Sequence, residues 1–178
     1  DGGLSFFEVA LNSEHGLKQI AILRDRFGEK CMIGAGTAIS VDLAKAAIGA
    51  GAQFLLTPGT PIDVLQYCAK KDIMLLPGVF TPGDVATSLE FGYKTMKLFP
   101  AGCAPKGYLK ALKGPYDEAN YIAIGGVTID NINDYFKEGY MGVGLASNLM
   151  PLSVLKDKNW DLGVSYVQKY VSRVKRRV

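Results

Sequence analysis

A lysine stands inside the apolar run Thr95-Met96-Lys97-Leu98-Phe99-Pro100, where a charged side chain is out of place. The run is short, follows Phe91-Gly92-Tyr93 and stops at a proline, so it reads as a buried strand with Thr95, Lys97 and Phe99 on one face. Desolvating an ammonium group disfavours its charged form and lowers its pKa, which makes a buried lysine nucleophilic. A neutral amine held beside a carbonyl carbon is what imine formation needs. A charge of opposite sign lies inside another apolar strand, Glu8 in Phe6-Phe7-Glu8-Val9-Ala10-Leu11. If both point into one interior, the carboxylate can accept and return a proton while the lysine holds the substrate covalently. Taken alone, Lys97 has a competing account, a strand-end lysine that snorkels its ammonium to water.

The elements that must position these residues repeat one unit: a short apolar strand, a loop with glycine or proline, then an amphipathic helix. Strands are expected at Phe6–Leu11, Met32–Gly34, Phe54–Thr57, Met74–Pro77, Thr95–Phe99, Tyr121–Ile124 and Met141–Leu145. Their starts fall about 20 to 26 residues apart, the spacing of parallel strands joined by crossover helices. Helices are expected near Glu14–Arg26, Val41–Ala50, Pro61–Lys70, Pro82–Glu90, Lys106–Leu112, Asp130–Lys137 and Asp161–Arg176, several closing on a glycine, as at Gly51, Gly92 and Gly139. This makes seven βα units in one α/β domain spanning residues 1–178. The chain opens at Asp1 and runs through Gly2-Gly3-Leu4 straight into a strand, so the first βα unit of a (β/α)8 TIM barrel is expected to be missing from it. A doubly wound open sheet would announce its ligand with GxGxxG after the first strand; Gly34-Ala35-Gly36-Thr37 lacks the third glycine, and the barrel is the better account.

Composition narrows the function. With 178 residues, 48% of them hydrophobic, the chain can bury one full core, and its net charge of +3 is spread without the basic stripe of a nucleic-acid binder. The cluster Arg173, Lys175, Arg176 and Arg177 closes the last helix, where cations complement the dipole. No apolar stretch approaches the roughly 20 residues of a membrane span, so a soluble, cytoplasmic protein is expected. Cys31, Cys68 and Cys103 are an odd set without CxxC spacing; Cys31 and Cys68 read as small core residues, and Cys103, in a loop close after Lys97, reads as a packing residue with an accessible thiol as the alternative. His15, the only histidine, has no second histidine to share a metal, so neither a metal centre nor a Ser-His triad is expected, and no cofactor is implied.

In such a barrel the site lies at the carboxyl ends of the strands. Besides Glu8 and Lys97, those ends offer the hydroxyl of Thr37, the backbone amides of Gly125-Gly126 and a last turn, Ala146-Ser147. The loops after the last two strands of these barrels commonly hold a phosphate, and glycines let the backbone approach an anion. By itself a glycine pair is weak evidence, because many turns use one. No aspartate or histidine occupies another strand end, so metal-dependent aldol chemistry lacks ligands and imine chemistry remains.

FEVALNS, IGAGT, FLLTPG, LLPGVFTP, MKLFPAG, PKGYLKALKGP and AIGGVT, in this order, make the chain resemble the 2-keto-3-deoxy-6-phosphogluconate and 6-phosphogalactonate aldolases along nearly its whole length. The resemblance implies a homotrimer of (β/α)8 barrels that forms a lysine imine without metal or cofactor and acts on a phosphorylated 2-keto-3-deoxy sugar acid. It assigns Lys97 as the Schiff-base lysine, Glu8 as the general acid/base and Thr37 as the residue near the substrate carboxylate. Phe99 and Ile124 would line the substrate, and Gly125, Gly126, Ala146 and Ser147 would hold its phosphate. Gluconate-type enzymes usually carry an arginine where this chain has Asn12 and a threonine where it has Ile124; both replacements look like the galactonate type. The carboxylate-binding arginine of that type lies on the first strand, the one expected to be missing here, and Ala146 stands where a glycine is common. The alternatives are a 4-hydroxy-2-oxoglutarate aldolase, which needs the same lysine and glutamate without the phosphate loop, and a non-catalytic sugar-phosphate-binding barrel.

Overall fold

The computed structural model describes residues 2–175, so Arg176 and Arg177 of the basic cluster, together with the side chain of Lys175, lie outside the described residues. Strands β1 (Phe6–Ala10), β2 (Met32–Gly36), β3 (Phe54–Leu56), β4 (Leu75–Leu76), β5 (Gly78–Val79), β6 (Thr95–Leu98), β7 (Asn120–Ile124) and β8 (Gly142–Gly144) follow one another in space as in the chain. All pairings are parallel, within two four-stranded sheets, β1-β2-β3-β4 and β5-β6-β7-β8. Between them run α1 (Gly16–Phe27), α2 (Val41–Gly49), α3 (Ile62–Lys70), α4 (Pro82–Glu90), α5 (Tyr108–Lys113) and α6 (Ile132–Glu138), and after β8 come α7 (Leu152–Lys156) and α8 (Trp160–Lys175). The alternation is that of the (β/α)8 barrel.

Local chemistry explains the helix starts. Ser40 accepts the Leu43 N–H at 3.3 Å and begins α2. At α4 a capping box forms, Thr81 Oγ1 accepting from the Asp84 N–H at 3.3 Å while Asp84 Oδ2 accepts from the Thr81 N–H at 2.7 Å, with Pro82 at the first helical position. Gly51, Gly92 and Gly139, expected as helix stops, all have positive φ.

The expected strand Met74–Pro77 arrives as two pieces, β4 and β5, because Pro77 has no N–H to give to a ladder. A side chain mends the gap: buried Thr57 Oγ1 accepts the Gly78 N–H at 3.1 Å and donates to Gly59 O at 2.6 Å. Pro77 O accepts the Lys97 N–H at 2.9 Å, so hydrogen bonding passes from the first sheet to the second at this point.

Alternation sends the two faces of each strand to different places. Ile33, Ala35 and Leu55 pack outward with Ile20, Val64 and Leu65 in one apolar cluster; Met96, Leu98, Tyr121 and Ala123 join Leu109, Leu112 and Ile132 in another. The opposite face carries Glu8, Gly34, Gly36, Phe54, Gly78, Lys97, Ile122, Ile124 and Gly144, related by register. Small and large residues alternate there. A Cβ at Gly34 would overlap the Phe54 ring, and one at Gly144 would stand 2.8 Å from Ile124 Cγ1, so each glycine seats a neighbour's bulky side chain.

Two expectations need correction, and one helix is additional. Cys103 is exposed rather than packed, because it ends a single 3-10 turn, Ala101–Cys103, that lifts it off the sheet. Cys31 is only half-buried, since it precedes β2 rather than lying within it. The helix α7 lacks a sequence signal, being only 5 residues long. Among the described residues no helix is long and apolar enough to cross a membrane.

Candidate active site

Lys97 is 6% exposed, held by β6 between β5 and β7. Phe99, two residues on and on the same face, brings its ring centroid to 4.6 Å from Lys97 Nζ. Such a ring stabilises the cation weakly. Burial dominates and holds the amine below the ordinary lysine pKa of 10.5, although the negative charge of Glu8 pulls the other way. The snorkelling account of Lys97 therefore fails on geometry.

Glu8 sits in the middle of β1, an edge strand, and remains accessible to water. The protein packed around its carboxyl still raises its pKa above 4.5, and the charge of Lys97 only partly offsets this. Each group thus leans toward neutrality and is restrained by the other. Among the described residues the ion pairs within 4.0 Å, Asp42–Lys45, Lys94–Glu118 and Asp134–Lys137, all lie on the surface. Glu8 and Lys97 are coupled across a gap rather than in contact.

The other site residues fall into two groups. Beside Glu8, at the end of β2, stand Gly36 and Thr37, and Thr37 has φ +61, a left-handed conformation unusual for a β-branched residue. It is pinned there by Ala38 N–H donating to Leu56 O at 3.1 Å and Ile39 N–H to Thr37 O at 2.9 Å. Beside Lys97, the Phe99 ring lies over Gly125, where a Cβ would come within 3.2 Å of it. Gly125 and Gly126 have φ of +89 and +85, and Gly126 backs onto Gly102 so closely that a Cβ would meet Gly102 Cα at 2.9 Å. Ile124 points over Gly144. Ala146 and Ser147 are exposed in the turn after β8.

Residues without chemistry of their own fix the last two loops. The carbonyls of Gly125, Gly126 and Val127 accept from Gly102 N–H at 2.8 Å, Asn131 Nδ2 at 2.9 Å and Asn148 Nδ2 at 3.0 Å. Tyr170 then donates to Asn148 O at 2.7 Å. Carbonyl oxygens that would repel an anion are therefore committed elsewhere. On the far side Asp84 accepts from Phe80 N–H at 3.0 Å and from Thr60 Oγ1 at 3.4 Å, joining the loops after β3 and β5. Burial alone would raise its pKa; the hydrogen bonds from Thr81, Phe80 and Thr60 win, and it lies below the usual value. Asn131, Asn148 and Thr57 escape sequence reading because their partners are backbone groups, whereas the Gly34-x-Gly36 alternation was a visible sign of space being made on one face.

A parallel βα barrel with a desolvated amine and a carboxylate in its field defines a class, the barrel lyases of aldolase type. A family profile described as KDPG and KHG aldolase matches residues 1–165, and the chain belongs to that family. It is a class I aldolase. The 2-dehydro-3-deoxy-6-phosphogalactonate aldolase of Escherichia coli (strain K12) is 31% identical over 172 residues, covering 96% of this chain and 83% of that protein. The 2-dehydro-3-deoxy-phosphogluconate aldolase of Pseudomonas aeruginosa is 34% identical over 161 residues, 89% of this chain and 72% of that one. Among solved structures, a KDPG aldolase from Legionella pneumophila with pyruvate captured as a covalent carbinolamine superposes with a TM-score of 0.87 at 30% identity, over 94% of this chain and 81% of that chain.

Proposed function

We propose that this chain cleaves 2-keto-3-deoxy-6-phosphogluconate or 2-keto-3-deoxy-6-phosphogalactonate to pyruvate and glyceraldehyde 3-phosphate through an imine on Lys97. The observation that carries this reading is a nearly buried lysine whose amine is pushed toward neutrality with Glu8 in its field. The amine attacks the ketone carbon C2, and loss of water gives the iminium. Glu8, directly or through water, takes the proton of the C4 hydroxyl, the C3–C4 bond breaks, and its electron pair flows to the iminium, leaving an enamine on Lys97 and an aldehyde at C4. Return of a proton to C3 and hydrolysis release pyruvate and the free amine. A raised carboxyl pKa suits a group that must both accept and return a proton.

Thr37 would meet the substrate carboxylate, and Phe99 and Ile124 the carbon chain. Gly125, Gly126, Ala146 and Ser147 would receive the phosphate, in loops whose carbonyls are already occupied. Ile124 cannot hydrogen-bond a hydroxyl, so discrimination by a polar partner at that point is lost, and the likeness to the galactonate type rests on the family resemblance. The resemblance also supports a homotrimer, checked by light scattering, and three free thiols suit a reducing cytoplasm.

The test is borohydride reduction in the presence of pyruvate, followed by peptide mass analysis. An adduct on Lys97 is expected. A folded protein without one would be a sugar-phosphate-binding barrel instead. Competition by inorganic phosphate separates the phosphosugar substrates from 4-hydroxy-2-oxoglutarate, whose cleavage it should leave untouched.

A further inference from the structure

We propose that Gly36 is a positioning residue for Glu8, and that its missing side chain is what lets the carboxyl occupy its working place. This rests on the reading of Glu8 as the acid/base group. Glu8 pairs with Gly34 in the ladder, and its side chain leans toward the carboxyl end of the strands and comes to lie over Gly36, the partner of Ala10. A Cβ at Gly36 would overlap Glu8 Oε1 outright and stand 3.0 Å from Glu8 Cγ.

Backbone conformation does not require this glycine. Gly36 is absent from the positive-φ residues, in contrast to Gly125 and Gly126, and it lies within a regular strand. Glycine weakens a strand interior, and here it marks a close approach. The adjacent Gly34 makes the same kind of room, but for the ring of Phe54. One strand therefore carries two seats, a lower one for an apolar side chain and an upper one for the carboxylate.

An alanine at the upper seat must drive Glu8 into another rotamer while leaving Lys97, on a different sheet, where it is. Gly36→Ala is expected to lower kcat by about 10²-fold, within the range of a lost general acid/base, with KM little changed. Borohydride trapping of pyruvate on Lys97, taken to its endpoint, should match the wild type. In a Glu8→Gln background the alanine should cost nothing further, because its effect passes through the carboxylate.

The outcomes separate cleanly. Unimpaired cleavage by Glu8→Gln overturns the role given to Glu8 itself. Impaired Glu8→Gln with a Gly36→Ala variant within twofold of wild type, or additive losses in the double variant, overturns the role of Gly36. Should Gly36→Ala fail to fold, the Glu8→Ala/Gly36→Ala pair decides: folding restored by removing the glutamate supports the seat, and failure in both backgrounds overturns it.

Discussion

Glu8 and Lys97 restrain each other's drift toward neutrality from two different sheets. Burial raises the carboxyl above 4.5 and depresses the amine below 10.5, and in each case the partner's charge opposes the shift. Lys97→Met removes the cation that lowers the Glu8 pKa, so that pKa should climb further, measurable by carboxyl carbon NMR titration. Because its folded pKa is raised, Glu8 contributes stability that is present below 4.5 and is lost as pH rises through the folded value. The melting temperature of Glu8→Gln should therefore gain on the wild type as pH climbs out of the acid range. A constant difference across that range would contradict the assignment.

Replacing Lys97 by arginine keeps a positive charge but cannot form an imine. Cleavage should fall by about 10⁴-fold or more, the scale seen when a covalent nucleophile is lost. Retention of a tenth of the activity would mean that a charge at this position suffices.

Gly125→Ala places a side chain at φ +89 and against the Phe99 ring at 3.2 Å. A strained left-handed residue costs about 1–3 kcal/mol, visible as a lowered denaturation midpoint. The same change should raise KM for the phosphorylated substrate more than it alters pyruvate trapping. Equal effects on both would place the phosphate elsewhere.

Thr57→Val is nearly isosteric and leaves the buried Gly78 N–H without its acceptor. A loss of about 1–3 kcal/mol in a urea titration is expected. Hydrogen exchange should quicken first at Gly78, the residue whose partner is removed.

Thr37→Asn relieves the φ +61 conformation, since asparagine tolerates that region far better than a β-branched residue. Stability should rise by about 1 kcal/mol while KM also rises, because the hydroxyl proposed to meet the substrate carboxylate is gone. A stabilised variant with unchanged KM would remove Thr37 from the substrate's surroundings.

The two charged residues were legible in the sequence because each breaks the apolar rule of its own strand, and strand period alone placed the elements that hold them. What escaped depends on partners distant in sequence. Nothing around Thr57 shows that its hydroxyl stands in for a ladder bond lost at Pro77, 20 residues away, and nothing in IGAGT marks Thr37 as left-handed. Cys103 falls in a loop as expected, but its exposure, the alternative to packing, follows from a 3-10 turn that the sequence does not show. Gly36 was within reach, since two glycines spaced by one residue clear one face of a strand, but which side chain fills the space is decided by the register with β1.

The apolar interior is split into two clusters, one packed under β1 to β4 and the other under β5 to β8. Glu8 belongs to the first half and Lys97 to the second. Halves of this kind are natural units of partial opening. Neither one holds both members of the proposed catalytic pair, so on that reading a chain with a single half assembled forms no turnover-competent centre. The return of aldol cleavage during renaturation should therefore trail the burial of either cluster and coincide with their union.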